Sequence, residues 1–148
     1  MNNKRLGNSF EVDVCKLLAN AGYWVHFIVP DARGAQPFDI IAVKDKIAYA
    51  IECKTLTISQ RYFSINRLEE NQKMAFDLWM QRGNTEPIIA IKYGDNKILF
   101  ARYLDLIMNE GKIDMIKSVL YQHPDKAIEV NGGIYNIYTM PKLKEVIK

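Results

Sequence analysis

Pro37-Phe38-Asp39-Ile40-Ile41-Ala42-Val43-Lys44-Asp45-Lys46-Ile47-Ala48-Tyr49-Ala50-Ile51-Glu52-Cys53-Lys54 is the stretch around which this chain is organised. Two apolar runs, 40–43 and 47–51, flank the short polar turn 44–46, which predicts antiparallel strands over 39–44 and 47–54. Side chains alternate along a strand, so Glu52 and Lys54 share one face and Cys53 points to the other. Folding the pair back brings Asp39, at the start of the first strand, to Glu52 and Lys54, at the end of the second. Two carboxylates and an ammonium at one sheet edge have the makings of a site for a metal ion and its water. A bare Glu-x-Lys carries little weight, because such tripeptides are common on half-exposed strands. Asp39 across the hairpin gives this one its interest.

Working outward, residues 1–8 are polar and basic and read as an N-terminal arm. Asn8 or Ser9 can cap a helix that runs through Leu18 and Ala21 and ends at Gly22. Phe10, Val14, Leu17, Leu18 and Ala21 give it one apolar face. Glu11 falls in its first turn, where the helix dipole favours an acid, so a solvated first-turn residue is its simplest reading. Tyr23 to Val29 is aromatic and β-branched, a first strand, and Pro30 to Pro37 is loop chemistry that sets Arg33 and Gln36 beside the site.

Downstream, 55–62 reads as a connecting loop. Asn66-Arg67-Leu68-Glu69 has the form of a capping box with Asn66 as N-cap, opening a helix to about Gln81 that stops at Gly83. Its apolar positions are Leu68, Ala75, Phe76 and Trp79. Gln72 falls on the same stripe, so its amide either completes a core hydrogen bond or reaches the carboxylates. Strands over 87–93 and 98–103 join at Gly94-Asp95-Asn96-Lys97, a hairpin signal. A short helix over 104–109, a further helix over 112–121, a small hairpin over 127–138 broken at 131–133, and a helical turn over 141–148 complete the reading. The chain has no internal repeat and no low-complexity tract.

At 148 residues the chain fits one domain with a full core, and 49% hydrophobic and 25% charged residues are ordinary for a globular protein. No run approaches the ~18 apolar residues of a membrane span, and Gly7, Asn8 and Ser9 follow the basic start where a signal peptide has its apolar core. The expectation is a cytoplasmic, intracellular protein with no membrane partner. A net charge of +3 and a pI near 8.8 lean toward a polyanionic partner without requiring one. Cys15 and Cys53 are too few for a disulfide framework or a zinc knuckle and read as small buried hydrophobes. With only His26 and His123, a histidine-rich zinc site is excluded as well.

Phosphodiester hydrolysis needs a nucleophilic water, stabilisation of charge on phosphorus, and help for the departing oxygen. A hard divalent ion on one or two carboxylates addresses all three. Asp39 and Glu52 supply such ligands, the backbone carbonyl of Cys53 lies at the same spot, and Lys54 suits orienting the water or stabilising developing charge. The competing reading is an ordinary strand pair with charged ends and a Glu–Lys contact.

The order Glu11, Pro37-Phe38-Asp39, Glu52-Cys53-Lys54 resembles the PD-(D/E)xK nuclease superfamily. That resemblance implies an α/β, restriction-endonuclease-like core: helix, three-stranded antiparallel meander, helix, and further strands in a mixed sheet. Gly7-Asn8-Ser9-Phe10-Glu11 resembles the first-helix entry of Holliday-junction resolvases of the archaeal Hjc and bacterial RecU kinds. Tyr62-Phe63-Ser64-Ile65, the helix bearing Gln72, and the paired strands ending near Leu104-Asp105-Leu106-Ile107 are similar to the RecU kind. The resemblance spans roughly 7–107 and lacks RecU's long stalk before Asp39. It divides the chain into a core with its basic arm, 1–110, and a C-terminal extension, 111–148, packed on the same domain.

What the resemblance implies is a Mg²⁺-dependent DNA endonuclease, with Mn²⁺ a plausible substitute, acting on four-way junctions in recombination or repair. Asp39 and Glu52 hold the metal, Lys54 serves the water, Glu11 is a further acid and Gln72 a supporting residue. A homodimer is implied because symmetric nicks need two sites. Lys4, Arg5, Arg33, Arg61, Arg67 and Lys73 are candidate phosphate contacts, each alone also readable as a solvated charge. The alternatives are a restriction-type or repair endonuclease on linear duplex, and a DNA-binding protein of the same fold that does not cut.

Overall fold

Phe10, Val14, Leu17 and Leu18 form the buried stripe of α1 (Ser9–Asn20) in the computed structural model, which describes residues 9–29, 37–57, 59–94, 97–115, 128–130 and 133–137. The helix stops where expected. Gly22 takes a φ of +92°, and Lys44 Nζ donates to the Ala21 carbonyl at 2.8 Å, so a lysine from the hairpin satisfies one of the helix's last carbonyls. Three strands follow as an antiparallel meander: β1 (Trp24–Phe27), β2 (Ile40–Lys44) and β3 (Ile47–Leu56). Asp45 and Lys46 both have positive φ, 52° and 68°, the left-handed pair that a two-residue hairpin of right-twisting strands requires.

β4 (Tyr62–Ser64), a single 3-10 turn (Ile65–Arg67) and α2 (Glu70–Gln81) then carry the chain to β5 (Ile88–Tyr93), which lies parallel to β3. A parallel pair needs such a crossover. β6 (Lys97–Arg102) returns antiparallel to β5, and α3 (Tyr103–Met108), β7 (Lys112–Asp114), β8 (Ile128–Val130) and β9 (Gly133–Ile137) follow. The main sheet has the order β1-β2-β3-β5-β6-β9-β8, with β9 parallel to β6 and antiparallel to β8. β4 and β7 form a separate two-stranded ribbon. This is the expected mixed sheet with helices.

Alternation along the strands sends successive residues to two cores. On the α1 side Ile40, Ala42, Ile51, Cys53 and Ala90 pack with the α1 stripe. On the α2 side Ala50, Ile89, Ile91, Leu99 and Ala101 pack with Leu68, Phe76 and Leu106. β5 is buried on both faces, which is why its first four residues read as an unbroken apolar run.

Three local expectations change. β3 runs two residues past Lys54, because Thr55 and Leu56 pair with Lys92 and Tyr93 on β5, a partner the local sequence does not show. The 55–62 segment is therefore strand at both ends. The N-cap of α2 is Glu69, not Asn66: Leu68 is extended (φ −92°, ψ 133°), so the turn at Ile65–Arg67 ends before the helix begins. The segment opening at Lys112 is strand β7, whose Ile113 turns inward beside Phe63 of β4. The small hairpin over 127–138 forms, as β8 and β9. The arm at 1–8, the loop at 30–36 with Arg33 and Gln36, residues 116–121 and the turn at 141–148 lie outside the described residues. Among the described residues no helix is long and apolar enough to cross a membrane.

Candidate active site

Asp39 sits one residue before the regular β2–β3 pairing, which begins with Ile40 opposite Ile51. Its N–H donates to the Ile51 carbonyl at 3.1 Å and its carbonyl accepts from Ile28 N–H at 2.7 Å. Its side chain turns back into the ladder, where Oδ2 accepts from Cys53 N–H at 2.8 Å. Strands on both sides thus fix a carboxylate that is only 4% exposed. In a strand the N–H and C=O of one residue point the same way, so the Cys53 carbonyl faces this flank too. The Cys53 side chain packs on the α1 side.

Glu52, 3% exposed, is the least balanced group of the site. Its Oε2 accepts from Gln72 Nε2 at 2.7 Å and lies 3.4 Å from Lys54 Nζ. Its Oε1 is buried and, among the described residues, has no hydrogen-bond partner. An unserved buried polar atom costs about 1–3 kcal/mol, more when charged. Burial first, then the charge of Asp39, pushes the Glu52 carboxyl up to about 8, and Lys54 only partly offsets them. Burial also raises the Cys53 thiol, helped by Asp39 and Glu52, and holds Cys15 near 11, helped by Glu11. Both cysteines are therefore neutral thiols, as their apolar settings suggested.

Gln72 is the inward residue at the third position of α2. Its Oε1 accepts from Glu69 N–H at 3.0 Å while its Nε2 donates to Glu52. Both alternatives read from its spacing hold at once: the amide is satisfied, and its partner is the carboxylate site. Lys54 is mostly buried, its side chain 16% exposed. Asp39, Glu52, Lys54 and Gln72 are thus brought together by β2, β3 and α2.

Glu11 is half-buried in the first turn of α1, close enough for its charge to raise both thiols. It does not complete a metal cluster: among the described residues no three His, Cys, Asp or Glu side chains converge on one ion. What converges is two carboxylates, one with a bare oxygen. That donor set fits a hard divalent ion of the Mg²⁺ type, which takes one or two carboxylates and fills its remaining positions with water and phosphate oxygens.

Of the basic candidates, Arg61 forks onto Asp114 (Nη2–Oδ2 2.9 Å, Nε–Oδ1 3.2 Å), Arg67 donates to the Thr55 carbonyl at 2.7 Å, and Lys73 pairs with Glu70 at 2.9 Å. Lys4, Arg5 and Arg33 lie outside the described residues. Asp13, buried on α1, was missed by the sequence reading. Its place three after Phe10 and four before Leu17 marks the inward stripe and was the signal available.

A family model described as archaeal Holliday junction resolvase (Hjc) matches residues 2–136. The 1.6 Å structure of Hjc, a Holliday junction resolvase from the archaeal hyperthermophile Archaeoglobus fulgidus, superposes with a TM-score of 0.59 at 22% identity, covering 76% of this chain and 90% of that one. A search of curated proteins finds no match.

Proposed function

The chain belongs to the archaeal Holliday junction resolvase family, a junction-resolving nuclease that cleaves DNA, and from that premise we propose which of its residues do the cutting. Resolvases of this family typically need divalent metal ions. In our reading Asp39 and Glu52 hold one, Mg²⁺ with Mn²⁺ as substitute, and the Cys53 carbonyl adds a backbone donor. The observation that carries this is the bare, buried Oε1 of Glu52 beside a second carboxylate. An acid pair this dry needs either a shared proton or a cation.

A divalent ion held by Asp39, Glu52 and the Cys53 carbonyl would supply positive charge for the phosphate and would lower the pKa of a water. The chain's own groups do the rest. Lys54, held against Glu52 at 3.4 Å, orients the attacking water and offsets the charge that builds on the phosphoryl oxygens. Gln72 fixes the Glu52 carboxylate, so its ligating oxygen is aimed before substrate arrives. Glu11 is a further acid at the edge of the site. One P–O bond forms from the water as the bond to the departing sugar oxygen breaks.

A homodimer presents two such sites to a two-fold substrate. Lys4, Arg5, Arg33, Arg61, Arg67 and Lys73 are the proposed phosphate contacts. Residues 1–110 make the core with its arm, and 111–148 an extension on the same domain, supported by the β4–β7 and β6–β9 pairings. Junction DNA as substrate puts the work inside the cell.

The experiment is cleavage of an end-labelled four-way junction, a linear duplex and a single strand, with Mg²⁺ or with chelator. Paired, symmetric, Mg²⁺-dependent nicks confined to the junction are expected. Cutting that persists in chelator overturns the metal assignment, and fixed-site cutting of the duplex overturns the junction preference.

A further inference from the structure

The β4–β7 ribbon presents a surface of which the reading above uses only the neighbouring Arg61. Its inner face buries Phe63 and Ile113 in the α2-side core, so alternation turns Tyr62, Ser64, Lys112 and Asp114 outward. Tyr62 is 48% exposed. Two cations flank its ring, Arg61 at 5.4 Å and Lys112 at 5.6 Å from the centroid. Asp114 already neutralises Arg61. Lys112 makes no salt bridge among the described residues, and the ring is the contact recorded for its ammonium. The ribbon is also anchored to the catalytic strand: Arg67, just after it in the chain, donates to the carbonyl of Thr55, the residue after Lys54.

We propose that the outward face of the β4–β7 ribbon is a DNA-docking platform flanking the active site, with Lys112 taking a backbone phosphate and Tyr62 packing against a base or sugar beside it. The inference rests on the junction-cutting reading above and assigns work to a strand beyond that core. The occupant follows from charge and chemistry. An exposed aromatic flanked by an unneutralised ammonium suits a polyanion with flat rings, and a nucleic-acid strand combines both. The tight approach at Gly111 sets the platform: its φ is +77° and an added Cβ would meet Ile65 Cγ2 at 3.0 Å, while its carbonyl accepts from Ile65 N–H at 2.8 Å. The Arg67–Thr55 bond ties the ribbon to the strand that carries Glu52 and Lys54.

The test is binding of the full-length chain to a fluorescein-labelled four-way junction and to linear duplex, by anisotropy in chelator, over a range of salt. Lys112→Ala should weaken both complexes and lower the log–log salt slope by about one. Asp114→Asn, which releases Arg61, should do the opposite: tighter binding and a steeper slope. Tyr62→Ala should weaken junction binding about fivefold, with Tyr62→Phe close to wild type. Lys46→Asn, which removes a charge from the β2–β3 turn at the far end of the strands, should leave the slope unchanged. Wild-type affinity and slope in Lys112→Ala and Asp114→Asn together would overturn the platform while leaving the nuclease reading intact. A wild-type chain that binds neither DNA overturns both.

Discussion

Two acid–base pairs in this molecule face opposite ways in design. Asp114 and Arg61 meet near the surface in a forked contact of 2.9 to 3.2 Å, with the Arg61 side chain half exposed. Glu52 and Lys54 meet in the interior at 3.4 Å; one carboxylate oxygen takes both Lys54 and Gln72, and the other finds no donor among the described residues. The first pair is exposed on its arginine side and could be deleted with little consequence for stability. The second is held in an incomplete state that folding alone would not favour, because dry carboxylates resist ionisation. On the proposed assignment, completion by something from outside would separate an ion pair that only decorates a fold from one that does chemistry.

The largest effect should come from breaking the interior pair. Asp39→Asn, Glu52→Gln and Lys54→Ala should each lower single-turnover junction cutting by on the order of 10²–10³-fold or more, while anisotropy in chelator shows junction binding close to wild type. Loss of binding alongside cutting would mean these residues hold the fold or the DNA instead of the reacting phosphate.

Next comes the pH dependence of stability. Glu52 titrates near 8 in the folded chain and near its ordinary value of 4.5 when unfolded. Between those values the folded state holds a proton that the unfolded state has lost, so without metal stability falls as pH rises through this window and levels off above it. Thermal unfolding in chelator should show Tm declining from about pH 5 to about pH 8 relative to Glu52→Gln, which removes the titration. Mg²⁺ should restore Tm most at the alkaline end, where it need not displace the proton. A Tm difference that rises across the window would contradict the burial account.

Gln72→Ala should be intermediate. It removes a contact to Glu52 and the bond to Glu69 N–H together, so cutting should drop about 10–100-fold and stability by about 0.5–2 kcal/mol. Separate measurement of single-turnover rate and urea midpoint tests whether both move. The smallest effect belongs to the exposed pair: Arg61→Ala should leave the urea midpoint unresolved from wild type, since exposed ion pairs gain little over solvation.

The interior half of the comparison was legible because its signals are local. An alternating run, a two-residue turn and a second alternating run fix which face Glu52 and Lys54 share, and helical spacing alone turned Gln72 inward. The hairpins β5–β6 and β8–β9 were legible for the same reason. What was not legible depends on partners distant in sequence. Lys112 to Asp114 becomes strand because β4 waits nearly fifty residues earlier, and the helical-looking stretch that follows Lys112 gives no hint of it. Asn66 looked like an N-cap until the extended backbone of Leu68 moved the start of α2 to Glu69. The capping box itself survives, shifted three residues, with Gln72 in the role assigned to Glu69. Nor does sequence reveal that Arg61 is already spoken for by Asp114, or that one oxygen of Glu52 is left bare.

The two bonds of the Gln72 amide set where this chain can lengthen or shorten. Thr57, Ser59 and Gln60 lie outside the strand ladders, so residues gained or lost beside them leave the phase of α2 untouched. Between Glu69 and Gln72 none can be gained or lost in that way. One added or deleted residue rotates the helix by about 100°, taking the amide from both the turn that starts α2 and the carboxylate at the heart of the site. The spacing of a cap and the phase of a helix are normally matters of folding alone. Here they also set the donor that meets the Glu52 carboxylate, so the sequence around Glu69 should accept substitutions more readily than insertions.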